Sequence, residues 1–437
     1  MNIAKLIKNK YVILFAVAFA FRTAYIFIPS IDVYSNTFPV SFYSYEQISD
    51  GKTYVNLANG ILEWGYPSRN GSLIMFGGYV YPFIVAMFLK ISTNLIPLFL
   101  FQAFISSLLC IMAAKVSVSI FKNETSGLIT GTLWAFYYPA FITIPRPLTE
   151  MVFTFLFFGG IFYILTVRHK RAEWLIYLIS GIIFSIATLT RAVLFYVFIF
   201  MSVSYFVYFL VRKRKYEYKI VFALLGFIMI QLPWTYLGYV QTDRIIFASS
   251  GRGGNLAIGT NIPGKGEFIN KEIENMPEHP KNVVDKLSKE KNWTDSQKDS
   301  AYTEIAKIQL RKNFTERPLS AIKLMLVQIS RFWLNIPFSY KPGLWNMTNT
   351  AVTFILLIFM IYGYIKGRER NKTCADLLII LVILFSILHS ITVSIIRYSF
   401  PILPVVYIFS GYGIYTFLSR FGLTKKFDIE AETNTRE

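Results

Sequence analysis

Asp50 lies in the run Ser44-Tyr45-Glu46-Gln47-Ile48-Ser49-Asp50-Gly51-Lys52-Thr53-Tyr54, just past the first membrane-length apolar stretch of a largely hydrocarbon-seeking chain. An isolated carboxylate at a membrane surface becomes a general base if its loop brings a hydroxyl acceptor within hydrogen-bond reach, a role worth about 10²- to 10⁴-fold in rate. The plainer role is to cap a helix opening at Gly51; both are compatible, because a cap position also fixes the carboxylate. Two arginines supply complementary chemistry: Arg191, in Thr188-Leu189-Thr190-Arg191-Ala192, and Arg397, in Ile396-Arg397-Tyr398-Ser399-Phe400-Pro401. A guanidinium clamps two phosphate oxygens and keeps its charge at any relevant pH, which suits a phosphate leaving group. Its commonplace alternative is contact with lipid headgroups. Lys52 is placed to assist, although Gly51-Lys52-Thr53 is no nucleotide loop, since Glu46 stands where a Walker motif requires glycine.

Glu150, in Pro145-Arg146-Pro147-Leu148-Thr149-Glu150, opens an apolar run, where a carboxylate favours the helix dipole. Pairing with Arg146 or Lys52 is its ordinary expectation. Ligation of a divalent cation with Asp50, which Glu46 could join, is the sharper one, and the metal is left unassigned. The run Ser249-Ser250-Gly251-Arg252-Gly253-Gly254-Asn255-Leu256, followed by Gly259, Gly264 and Gly266, permits close backbone approach and leaves N–H groups for oxyanions, but lacks dinucleotide-fingerprint spacing. His169, His279 and His389 are scattered, and Cys110 and Cys374 form neither a disulfide framework nor a metal motif.

The elements that must position these groups are membrane spans. Of the 437 residues, 54% are hydrophobic, 17% aromatic and 16% charged, the composition of an integral membrane protein. The net charge of +19 falls in short clusters between apolar runs, which reads as topology and not as a nucleic-acid surface. With Lys5, Lys8 and Lys10 inside, spans are expected at 11–29, 96–121, 127–144, 148–167, 174–190, 192–211, 220–240, 350–365, 375–396 and 400–418, with both termini cytoplasmic. The span 11–29 is read as a retained anchor although Ala16-Val17-Ala18 is a passable cleavage site.

Residues 1–240 thus form a membrane module that includes a large outer loop, 30–95, holding an amphipathic stretch at 54–64 and an interfacial segment at 79–91. A polar extracytoplasmic region, 241–320, reads as charged amphipathic helices over 270–315. The third part, 321–420, starts with a segment interrupted by Lys323, Gln328, Arg331 and Asn335, placed as an interfacial helix; a polar cytoplasmic tail, 421–437, follows. On this layout Asp50, Arg146, Glu150, Arg191 and Arg397 all fall at outer ends of spans or in outer loops.

Taken together, the outer-loop Asp50 followed by Tyr54 and Leu57-Ala58, then Tyr81-Pro82, Glu150, Leu189-Thr190-Arg191, Pro233-Trp234, Gly253-Gly254-Asn255-Leu256, and Arg397-Tyr398 with Pro401 and Pro404, resemble the GT-C glycosyltransferases over nearly the whole length. The similarity is to the branch of protein O-mannosyltransferases, aminoarabinose transferases and lipopolysaccharide-core glycosyltransferases, a family-39-like pattern. The resemblance implies an all-α polytopic bundle of about ten spans with a small extracytoplasmic subdomain. It further implies a polyprenyl-phosphate sugar donor, inverting displacement onto a hydroxyl of a protein or glycolipid acceptor, and an active site on the outer face of a cell membrane, bacterial by the branch resembled. Asp50 matches the catalytic acid and Glu150 a supporting acid; Arg191, Arg397 and Lys52 match donor-phosphate positions, and Tyr54, Gly254 and Asn255 acceptor or loop contacts. The chain departs from the pattern at Ser49 and Gly51, where a second acid is frequent, at Leu237-Gly238 after Pro233-Trp234, and at Ala192, where proline is frequent. The rival is a transporter or flippase of a lipid-linked saccharide, which needs the basic residues but not Asp50.

Overall fold

The computed structural model describes residues 9–27, 49–69, 71–74, 78–167, 172–211, 219–242, 245–247, 249, 252–267, 276–334 and 344–424. Glu46, His169 and the basic clusters at 168–171, 212–215 and 425–426 lie outside the described residues. Within them the regular structure is helical apart from one antiparallel pairing of β1 (Ser68–Arg69) with β2 (Ser72–Leu73). Hydrocarbon leaves the backbone no other partner than itself, and the sequence supplies the matching apolar stretches. Among the described residues, five helical stretches, Lys10–Phe27, Ile96–Phe121, Lys219–Val240, Met347–Ser390 and Ile396–Arg420, are long and apolar enough to cross a membrane. The protein is an all-α, multi-pass integral membrane protein.

Every expected span corresponds to helix. In order they are α1 (Lys10–Phe27), α4 (Ile96–Phe121), α5 (Glu124–Ala135) with α6 (Tyr138–Thr143), α7 (Glu150–Thr166), α8 (Glu173–Thr188), α9 (Val193–Val211), α10 (Lys219–Thr242), α15 (Leu344–Ser390) and α16 (Leu403–Arg420). The stretch between α1 and α4 contributes α2 (Ser49–Trp64) and α3 (Val80–Ile91); the polar region contributes α11 (Arg252–Gly259), α12 (Pro280–Lys291) and α13 (Asp295–Glu316), with α14 (Pro318–Leu334) after it. The 47 residues of α15 supply two expected spans because Asn371 leaves helical geometry at φ −149°, ψ 83°. Tyr364 donates to Asp376 and Arg368 pairs with the same carboxylate at 2.7 Å, tying the arms on either side of that break.

The third expected span is not continuous. It breaks at Phe136–Tyr137, and Pro139, early in α6, supplies no N–H for a continuing ladder. Carbonyls freed at the end of α5 are satisfied from another helix: the fully buried Arg22 of α1 donates to Trp134 O at 2.9 Å, Ala135 O at 3.0 Å and Ser106 Oγ at 2.8 Å. The core lies between α4, α5, α7 and α16, where Trp134, Phe153, Phe157, Tyr407 and Phe409 are buried.

The polar interruptions of α14 have a similar explanation. Gln328 donates to Gly266 O at 3.0 Å and accepts from Ser394 N at 3.1 Å, while Arg331 donates to Lys265 O at 2.7 Å and pairs with Glu267. These side chains stitch the 259–267 loop and the segment after α15 to one helix. That segment carries Arg397.

Candidate active site

The amphipathic pattern of α2 turns Tyr54, Val55, Leu57 and Ala58 inward, at spacings of three and four residues, and leaves Lys52, Asn56 and Asn59 exposed. Asp50 sits in its first turn. The buried face rests on α3: Tyr54 meets Tyr81 edge to face, ring centroids 5.1 Å apart. Tyr81 Oη in turn donates to Gln102 of α4 at 3.2 Å, and the Gln102 amide donates to Ile144 O at 2.7 Å and Arg146 O at 3.0 Å. One buried chain of contacts thus runs from the helix bearing Asp50 to the loop that delivers Glu150. Glu150 is the first residue of α7, as its position after Pro147 predicts. Burial raises the Tyr54 phenol well above its ordinary value, with Asp50 adding to the effect, so it stays protonated.

Arg191 occupies the tight turn between α8 and α9. The start of α3 clasps this turn through its backbone: Tyr79 N donates to Leu189 O at 2.7 Å and Val80 N to the same oxygen at 3.2 Å. Such proximity requires glycine just before. Gly78 has φ +86°, and a Cβ there would lie 2.4 Å from Leu189 O and 2.7 Å from Thr190 O.

Arg397 lies on a 3₁₀ turn, Ile396–Tyr398, between α15 and α16. α11 braces this segment: Val393 N donates to Asn255 O at 3.0 Å, and a Cβ on Gly259 would fall 2.3 Å from the Thr392 carbonyl carbon. The glycine-dense stretch therefore serves close backbone packing, with Gly253 N also donating to Asp299 at 2.9 Å.

These elements bring together four charged side chains spread over 347 residues of sequence separation. Arg397 Nη2 donates to Asp50. Arg397 Nε lies 3.2 Å from Glu150 Oε1, and Arg191 Nη1 lies 3.1 Å from the same oxygen. Glu150 is 2% exposed, the arginines 19–20%, and Asp50 35%, so the cluster grades from a buried floor to an accessible rim. Two carboxylates balance two guanidiniums, which offsets the cost of holding charge out of water. Tyr398 lies against both cations, 5.1 Å from Arg191 and 5.8 Å from Arg397.

Hydrogen bonding at this site is incomplete. Glu150 Oε2 is buried with no hydrogen-bond partner among the described residues, and Arg191 Nη1 and Arg397 Nε approach Glu150 without aligned hydrogen bonds.

Glu150 pairs with Arg191 and Arg397, whereas Lys52, one of its two expected partners, is exposed and forms no ion pair among the described residues. Asn255 is exposed on α11 and Gly254 half-buried there; α11 reaches the cluster through the 392–393 backbone. Among the described residues no group of three His, Cys, Asp or Glu side chains converges. Asp50 and Glu150 each face guanidinium groups, and Glu46, the third acid of the expected ligand set, lies outside the described residues. Sequence reading missed Gln102, whose carbonyl contacts no spacing rule reveals, and Gly78, one of three glycines in the 71–78 stretch without a signal to single it out.

No protein-family model matches the sequence, and no curated protein matches it. Solved structures match its fold. An archaeal oligosaccharyltransferase, AglB from Archaeoglobus fulgidus in complex with an inhibitory peptide and a dolichol-phosphate, aligns with TM-score 0.55 and 13% identity over 96% of this chain and 52% of its own. The Archaeoglobus fulgidus oligosaccharyltransferase tethered to an acceptor peptide containing the NVT sequon aligns with TM-score 0.55 and 14% identity over 95% and 50%. ArnT from Cupriavidus metallidurans bound to undecaprenyl phosphate aligns with TM-score 0.40 and 12% identity over 92% and 77%. The chain spans about half the length of the oligosaccharyltransferases it matches. Across nearly all of its own length, the chain shares the fold of these oligosaccharyltransferases.

Proposed function

We propose that the protein is a membrane glycosyltransferase that moves a sugar from a polyprenyl-phosphate donor to a hydroxyl acceptor on the non-cytoplasmic face. The observation that carries this reading is the cluster of Asp50, Glu150, Arg191 and Arg397, a carboxylate at an accessible rim above two guanidiniums on a buried acid. A transporter of the same lipid needs the cations; a partly exposed carboxylate beside them is what transfer chemistry adds. AglB, which shares the fold, holds a dolichol-phosphate, the ligand class that paired guanidiniums suit.

In the reaction, the acceptor O–H gives its proton to the Asp50 carboxylate as its oxygen forms a bond to the anomeric carbon from the side opposite the phosphate. The bond from the anomeric carbon to the phosphate oxygen breaks, and its electron pair leaves on the polyprenyl phosphate. Configuration inverts. Arg191 and Arg397 stabilise the charge gathering on the departing phosphate, and Glu150 fixes both guanidiniums in place. Incubating purified protein with a panel of polyprenyl-phosphate sugars and membrane extract, then weighing the products, tests the proposal: a sugar adduct whose formation requires Asp50 is expected, and donor translocation without any adduct favours the transporter.

A further inference from the structure

Arg397 makes two different ionic contacts with two different carboxylates. Its Nε faces Glu150 at 3.2 Å, and its Nη2 donates to Asp50. Glu150 is 2% exposed, starts a span and is shared with Arg191, so it belongs to the floor of the site. Asp50 is 35% exposed and sits one residue into a loop helix that is anchored further along, through Tyr54 on Tyr81. Of the two acids, Asp50 is the one a side-chain rotation releases without disturbing a membrane helix.

From this asymmetry we infer that Asp50 is a placeholder for the donor phosphate: in the unliganded protein its carboxylate holds the Nη edge of Arg397 that a phosphate oxygen takes, and donor binding frees it to act as the base. The inference rests on the function proposed above and adds an order of events to it. Charge supports the exchange. The cluster is neutral with both acids seated, and a sugar phosphodiester carries one negative charge, as Asp50 does. Adding it while Asp50 stays on Arg397 would crowd a third anion onto two cations; exchanging it for Asp50 keeps the balance.

Base chemistry supports it too. A carboxylate oxygen engaged by a guanidinium is a poor proton acceptor, whereas a released one regains its lone pairs next to the anomeric carbon. The base is then armed only when donor is present. After transfer the polyprenyl phosphate is a monoester of higher charge that keeps Arg397 occupied, and Asp50 returns as the lipid departs.

An internal competitor lowers apparent affinity by the fraction of time it occupies the site. The test is binding of farnesyl phosphate, without acceptor, to purified wild type, Asp50→Asn, Arg397→Ala and Arg191→Ala. Asp50→Asn is expected to bind about three- to tenfold tighter than wild type, the scale of a partly exposed ion pair, while the arginine variants bind more weakly. In wild type, farnesyl phosphate is expected to increase carbodiimide labelling of Asp50, read by mass spectrometry, which keeps the test open if Asp50→Asn does not fold. Equal or weaker binding by Asp50→Asn, or labelling of Asp50 unchanged by the ligand, overturns the exchange and leaves the phosphate site intact so long as the arginine variants bind weakly. If neither arginine matters, the functional reading fails and the exchange fails with it.

Discussion

Two sets of arginines are drawn in from the membrane environment, and they are used in opposite ways. Arg22, inside α1, has none of its side chain exposed and directs its donors at Ser106 Oγ and at the Ala18, Trp134 and Ala135 carbonyls, with the Phe141 ring 5.0 Å away. Among the described residues no carboxylate pairs with it. Arg191 and Arg397 keep about a fifth of their side chains exposed, share one buried carboxylate and leave donor groups without aligned bonds. Satisfied and closed reads as architecture; charged, balanced and incompletely bonded reads as a site. Burial and charge alone do not separate the two cases.

Several substitutions test this contrast. The largest effect is expected at Asp50: Asp50→Asn should lower sugar transfer by about 10²- to 10⁴-fold while leaving thermal unfolding in detergent close to wild type. Next comes Glu150→Gln, which strips the shared counter-ion from two guanidiniums and should cost roughly 3 kcal/mol in stability as well as activity, seen as a lower unfolding midpoint. Arg22→Leu should behave differently, destabilising by about 1–3 kcal/mol through orphaned carbonyls while the surviving folded fraction keeps its affinity for farnesyl phosphate. If that affinity collapsed instead, Arg22 would belong with the site and the contrast would be lost.

Smaller effects probe the braces. Gly78→Ala forces a side chain into a left-handed backbone pressed on the Leu189 and Thr190 carbonyls, and should weaken phosphate binding through Arg191 at a cost of about 1–2 kcal/mol in stability. The smallest change concerns His279, buried beside Gly264 in the polar region, where burial pushes its pKa below the ordinary value and a backbone contact at Glu267 opposes the shift in part. The folded state then binds fewer protons than the unfolded one, so stability should be unaffected above about pH 6.5 and fall as pH drops below it. His279→Gln should flatten that slope without altering transfer at pH 7.

Much of the fold was legible because membrane spans announce themselves by length and hydropathy, and each expected span has its helices. The break at Phe136 was legible only in part: Pro139 within the run 127–144 marks it, but its stabilisation from α1 by Arg22, a contact 112 residues away along the chain, follows no local pattern. The same limit applies to the site. Asp50, Glu150, Arg191 and Arg397 stood out as charges at one end of the spans, but their pairing did not: Lys52 is nearer to Asp50 in sequence, yet it faces outward on α2 while Arg397 arrives from the far end of the chain. Pairing follows from tertiary position, which local pattern does not encode. Polar residues that weakened 321–338 as a span, Gln328 and Arg331, are explained by bonds to a loop some 60 residues earlier.

The central claim is that the Asp50 cluster performs sugar transfer. Comparing initial rates of wild type and Asp50→Asn, with the same polyprenyl-phosphate sugar and hydroxyl acceptor and with farnesyl phosphate binding verified in both, tests it most directly. A drop of about 100-fold or more with binding no weaker than in wild type is the predicted result; an undiminished rate in the variant would contradict the account.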